Sequence, residues 1–165
     1  MRNPATFPQN ISFSRLQLPA TLPPLKKNEK IAQMVNKYRG RVLDPHYLGY
    51  FDYFNQQLFY EAHDVLENLW LPIRKEPDGP FYKGLIQLAG AFVHLQKERL
   101  HPAAALFKMS RTNLEQFTPT RSHLDVTHVL MLIDDWLNRL ERDKFTVNPL
   151  TPAHAPRLEL PGAFD

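Results

Sequence analysis

The sequence predicts an all-α fold, a single-domain bundle of five or six helices flanked by extended proline-rich N- and C-terminal tails. Three observations predict it. From about residue 29 to residue 142, apolar side chains recur at three- and four-residue spacing, as on one-sided helices, and alternating β-type runs are few. Prolines after Asp44, Gly79, His101 and Thr118 cut this stretch into pieces, and short connections make neighbouring helices antiparallel. Outside it, Pro4, Pro8, Pro19, Pro23 and Pro24 precede Lys26, and Pro149, Pro152, Pro156 and Pro161 follow Val147, a density that prevents regular helix. The expected organisation is an extended basic arm over residues 1–27, a helical bundle domain over 28–145 and an extended tail over 146–165. Apolar residues in both tails, among them Phe7, Ile11, Phe13, Leu150, Leu158 and Leu160, are unlike a purely polar linker. They fit grooves of the body or of a partner.

The first predicted helix, from about Glu29 to Tyr38, places Ile31, Met34, Val35 and Tyr38 at helical spacing. Asp44 reads as the N-cap of the second and Pro45 as its first residue, where a missing N–H costs nothing; this helix reaches about Phe54. A third runs from about Leu58 to Ile73. Asp78, Gly79 and Pro80 close the next loop and open a fourth, from about Phe81 to Glu98, whose apolar positions cover most of its circumference and so make it central. His101 and Pro102 start a fifth, running to about Phe117 with Leu106, Phe107, Leu114 and Phe117 on its inner face. Thr118 to Thr120 breaks it. Ser122 to Asp125 resembles a capping box for the last helix, which ends near Arg142 and carries Val126, Val129, Leu130, Ile133, Trp136, Leu137 and Leu140 as one stripe.

At 165 residues and 43% hydrophobic content, the chain can build one sizeable core and shows no second domain of independent size. With no cysteine it has no disulfide, no thiolate metal site and no cysteine nucleophile, so any metal is left to nitrogen and oxygen ligands. No apolar run approaches the roughly 18 residues needed to span a bilayer, and the first residues lack the apolar core of a secretory signal. A cytoplasmic protein is expected, or one of the plastid stroma if the source is a photosynthetic eukaryote, because the acid-free first 28 residues resemble a transit peptide apart from their prolines. The formal charge of +3 is too small to argue for nucleic acid, which ranks last among partners. Its distribution is uneven. Arg2, Arg15, Lys26, Lys27, Lys30, Lys37, Arg39 and Arg41 stand against Glu29 alone, so a basic arm on a mildly acidic body is available to an acidic protein partner, or is simply solvated.

Chemistry concentrates in the third helix, where His63, Glu67 and Trp70 form an HxxxExxW pattern. At about 100° per residue, the apolar face centres on Ala62, Leu66, Leu69 and Ile73, with the three motif residues displaced together to one flank. An imidazole and a carboxylate one turn apart can share a metal ion or bond to each other, and Trp70 can shut out water from one side. Glu61 falls on the opposite flank and Asp64 points further outward. On the fourth helix, Gly84, Gln87, Ala91, His94 and Glu98 share one side; if that side faces the third helix, Gln87 and His94 meet His63 and Glu67. The expected metal ligands are therefore His63, Glu67 and His94, in a pocket lined by Glu61, Asp64, Trp70, Gly84 and Gln87. Nitrogen and oxygen donors of this kind suit zinc, manganese or iron, with a position left for water or substrate. The alternative is a buried His63 whose ring N–H is accepted by Glu67, a satisfied pair needing no metal.

Two blocks together resemble a known family. Phe54, Asn55, the run from Phe59 to His63, Leu66, Glu67, Leu69 and Trp70, followed by Tyr82 to Ala89 and Ala91 to Gln96, are similar to the DUF309 family of small helical bacterial and archaeal proteins with plastid relatives. The resemblance covers about Tyr47 to Phe117. It implies an all-α bundle, metal binding proposed on His63 and Glu67, and no established activity. Asp64 stands where glutamate is common, Gln57 where glycine is frequent, and Leu100 to Pro102 where a glycine–asparagine turn is usual. Two functions follow: a metal-dependent enzyme, most simply a hydrolase, or a non-enzymatic binding module that engages a protein partner through its basic, proline-rich tails.

Overall fold

Four of the six described helices start where the chain supplies a cap for a free N–H group or a proline that does not need one. The structure is a computed structural model and describes residues 22–164; the greater part of the expected arm, residues 1–21, lies outside them. The described elements are α1 (Lys27–Val35), a short 3₁₀ turn (Asn36–Tyr38), α2 (Pro45–Asn55), α3 (Phe59–Ile73), α4 (Gly79–Gln96), α5 (Leu100–Leu114), a second 3₁₀ turn (Glu115–Phe117), strands β1 (Thr120–Arg121) and β2 (Leu124–Asp125), and α6 (Val126–Arg142). The fold is all-α apart from that ribbon, as the periodicity predicts. Asp44 caps α2 by accepting from the His46 N–H at 2.7 Å, and Pro45 takes the first helical position. Pro80 and Pro102 lie in the first turns of α4 and α5 for the same reason.

One predicted cap is corrected. Ser122 does not cap α6; Asp125 does, accepting from the His128 N–H at 2.9 Å. Ser122 and His123 both have positive φ, 47° and 65°, and form the two-residue turn of a hairpin that pairs Thr120 with Asp125 and Arg121 with Leu124. Strands this short leave no alternating pattern in the sequence. Tyr47 of α2 donates its hydroxyl to the Ser122 carbonyl at 2.9 Å and ties the hairpin to the body.

Helices α2, α3, α4 and α5 pack in succession, α6 lies on α5, and α1 lies across α2 and α3. As predicted, α4 is central, with Phe81, Leu85, Leu88, Ala89, Ala91, Phe92 and Leu95 fully buried. Phe92 is the hub. Its ring meets Phe54 of α2 at 5.6 Å, Phe59 of α3 and Phe107 of α5 at 5.1 Å, and Trp136 of α6 at 5.0 Å. Edge and stacked contacts of this kind add roughly 0.5–1.5 kcal/mol each beyond the burial itself. Gly84 lets α4 approach α5 closely, because a Cβ there would stand 2.7 Å from Leu114 Cγ; the nearby Ser110 hydroxyl donates to the Gly84 carbonyl at 2.6 Å.

The C-terminal segment lies in a groove of the body. Asn55 clamps it with one amide, donating to the Leu158 carbonyl and accepting from the Leu158 N–H, both at 2.8 Å. Asn148 donates to the Leu95 carbonyl at 2.6 Å, and Leu158, Leu160 and Ala163 are buried. The N–H and carbonyl of Leu158, which lie outside any helix, thus gain their partners from a side chain of the bundle. No helix among the described residues is long and apolar enough to cross a membrane.

Candidate metal centre

The centre lies where α1 crosses α3. Asn68 of α3 donates to Asn28 Oδ1 at 3.2 Å, which brings Lys27, the first residue of α1, over the same turn of α3. Lys27 Nζ stands 3.5 Å from Asp64 Oδ1 and 3.4 Å from Glu67 Oε2. Asp64 Oδ1 lies 3.3 Å from His63 Nδ1. One donor atom from each of His63, Asp64 and Glu67 falls within 4.8 Å of the others, the cluster among the described residues that could hold a metal ion. Ligands at roughly 2.0–2.2 Å from one ion are at most about 4.4 Å apart, so small side-chain rotations close the set.

Burial and charge support the cluster. Asp64 is the least exposed of the three at 18%, against 31% for His63 and 30% for Glu67, because α1 covers it. The sequence reading, which turns Asp64 outward, treats α3 in isolation; the crossing of α1 is a tertiary event. Partial desolvation alone would lower the pKa of the Lys27 ammonium, but the carboxylates of Asp64 and Glu67 outweigh it and hold the amine above its ordinary value. Two carboxylates therefore already converge on one cation.

Of the other sequence-predicted residues, Glu61 lies beside the cluster and the rest do not join it. Glu61 shares with Asp64, Lys27, Lys30, Ile31, Met34 and Tyr60 a cavity of about 60 Å³ beneath α1. Gly84 and Gln87 face α5 rather than α3: Gly84 abuts Leu114, and Gln87 Oε1 accepts from Asn113 at 2.7 Å. Gly90 of α4 lies beside His63, since an added Cβ there would come within 3.9 Å of the His63 ring. His94 is not a member of the cluster. Burial first, then the charges of Arg99 and Lys97, push its pKa below the ordinary value, and its Nδ1 is buried without a hydrogen-bond partner among the described residues. Trp70 lines a different cleft, with Arg74, Lys75, Lys83 and Asn113, and its Nε1 is likewise buried and unpartnered. His63 and Glu67 do not hydrogen-bond to each other; the His63 ring pairs with Asp64 and lies 6.4 Å from that of Tyr60. Sequence reasoning missed Lys27, which is 36 residues away from His63 along the chain, although its place in an otherwise acid-poor segment was visible.

Fold and site together define a helical bundle with an acid–histidine cluster on the edge of its third helix. Residues 47–115 match the family model of DUF309, a domain of unknown function. The match spans α2 to α5 with His63, Asp64 and Glu67 inside it, while Lys27, α6 and the C-terminal segment lie outside. Neither a curated protein nor a solved structure matches the chain.

Proposed function

We propose that the protein binds a divalent metal ion through His63, Asp64 and Glu67 and acts as a metal-dependent hydrolase. The observation that carries the reading is the convergence of one imidazole nitrogen and two carboxylate oxygens within 4.8 Å. One nitrogen and two oxygens suit zinc, manganese or ferrous iron. A divalent ion bound by three side chains keeps positions open and, as a Lewis acid, lowers the pKa of water. Lys27 does not block this. Its side chain is 60% exposed, and an exposed pair is worth at most about 1 kcal/mol, so a metal displaces it readily.

The test is elemental analysis of untagged protein, followed by calorimetric titration with zinc, manganese and ferrous salts. One equivalent of metal is expected, lost in Asp64→Asn with Glu67→Gln. A wild-type protein that carries no metal and gains no thermal stability from any of the three would overturn the reading.

A second reading has its own support. The bridge from Lys27 to both acids, with the Asn28 and Asn68 pair beside it, clamps α1 onto α3 without a metal. The acids are then structural and the chain is a binding module whose basic N-terminal arm engages a protein partner, the C-terminal segment being docked on the bundle. Under that reading, removal of residues 1–25 abolishes recovery of a partner while the bundle stays folded; unchanged recovery counts against it.

A further inference from the structure

We infer that the cleft between the C-terminal end of α3 and the start of α4 is a binding site for a small soluble phosphate compound. The cleft has a volume of about 400 Å³, within the range of small-molecule sites. Arg74, Lys75 and Lys83 line it together with Trp70 and Asn113.

The grouping of unpaired cations marks this cleft. Several cations elsewhere meet acids, Lys37 reaching Asp52 at 3.0 Å, Arg111 reaching Asp134 at 2.8 Å and Arg139 reaching Asp135 at 3.0 Å, and others such as Arg39 and Lys97 stand without a carboxylate among the described residues, but here three such cations line one cleft. None of Arg74, Lys75 and Lys83 has a carboxylate within 4 Å among the described residues. The nearest acids in sequence do not neutralise them, since Glu76 does not line the cleft and Asp78 is paired with Arg121. Three cations in one cleft repel one another unless an anion joins them.

Geometry fits phosphate. Arg74 is anchored by donating one Nη1 hydrogen bond to the Leu71 carbonyl at 2.5 Å, which fixes its guanidinium at the end of α3. The remaining guanidinium N–H groups stay available, and a fork of this kind matches two phosphate oxygens. Lys83 Nζ stands 5.9 Å from the centre of the Trp70 ring and is held over the cleft by that contact. The 18-residue helix α4 opens at the same place, so its dipole adds to the positive potential. Gly79 makes the arrangement possible, because a Cβ there would stand 2.4 Å from the Arg74 carbonyl oxygen; only glycine lets α4 begin directly on Arg74. This site does not depend on the metal reading.

The experiment titrates the full chain, at ionic strength fixed with chloride, with inorganic phosphate and with glycerol 3-phosphate. Saturable binding of at least one is expected, weakened about tenfold or more by Arg74→Gln and again by Lys83→Gln, as loss of a charge-assisted hydrogen bond predicts. Lys108→Gln, which removes a cation already paired with Glu141, leaves it unchanged. Absence of saturable binding, equal weakening by Lys108→Gln, or binding only to phosphatidic acid vesicles overturns the assignment. The Arg74 and Lys83 variants change exposed side chains, so urea midpoints close to wild type are expected alongside the altered affinity.

Discussion

At one end of the charged flank of α3, Asp64 and Glu67 face Lys27 across 3.4–3.5 Å, whereas just past its other end Arg74, Lys75 and Lys83 gather around a cleft with no carboxylate within 4 Å among the described residues. From His63 to Trp70 the chain climbs about 10 Å along the helix axis. Over that distance the surface changes from one that holds its own counter-ion to one that has none. The acids are covered by a neighbouring helix that brings a lysine with it; the bases are set at a tight turn whose own acids do not reach them, Asp78 pairing with Arg121 and Glu76 lying outside the cleft. Complementary charge supplied from within marks a place that is stable without ligand, and like charge left together marks a place whose balance has to come from outside.

The strongest way to break the contrast is at the turn. Gly79→Ala places a Cβ against the backbone oxygen of Arg74, which cannot rotate away, and is expected to destabilise the protein by about 3 kcal/mol in urea melts, at the upper end of overpacking effects. Phosphate binding is lost with it. A loss below about 0.5 kcal/mol, the size of an ordinary surface substitution, means the turn is not held as tightly as its geometry requires. Next comes the acid end. With metal at a hundredfold excess over its dissociation constant, the wild type gains about 2.7 kcal/mol, and Asp64→Asn with Glu67→Gln removes that gain. Thermal melts with and without metal report it.

Lys27→Ala sharpens the comparison further. Without metal it costs less than about 1 kcal/mol, because the lysine side chain is largely exposed. With metal, calorimetry is expected to show tighter binding, since the internal cation no longer competes. Reduced affinity in this variant argues that the lysine organises the site rather than occupying it. The smallest effect concerns His94. Its folded-state pKa is depressed, so its contribution to stability is complete above the ordinary histidine value of about 6.5 and is lost as pH falls through the lowered folded value. NMR titration is expected to place His94 below 6.5, and His94→Asn to flatten the acid limb of the stability profile. A His94 that titrates above the ordinary value has found a carboxylate, and would return it to the acid end of α3.

Most of the element boundaries were legible because each rests on a local signal. Asp44 with Pro45, the prolines after Gly79 and His101, and the stripe from Val126 to Leu140 act within a few residues of themselves. The hairpin at Ser122 and His123 was not legible, since two left-handed residues and four paired ones make no periodic pattern. The candidate site was readable by half. The spacing of His63 and Glu67 puts both on one flank in any α3, but a helical wheel says which residues share a face and not which helix lies opposite. Gln87 and Gly84 were therefore assigned to the wrong neighbour, and Asp64 was turned to solvent.

By itself the sequence determined an all-α chain, the extent of its helices, the central place of α4 and the flank on which His63 and Glu67 stand. Those properties follow from short-range rules: capping, proline geometry and a period of about 3.6 residues. Only the tertiary structure decided that α1 would cross α3 and bring Lys27 to Asp64, that Gln87 would turn to Asn113, and that Arg74, Lys75 and Lys83 would share one cleft. Helix packing joins residues as far apart as Gln87 and Asn113, 26 positions, through side-chain shape and close approach at glycines such as Gly84 and Gly90, and no local pattern in the chain encodes which surfaces meet.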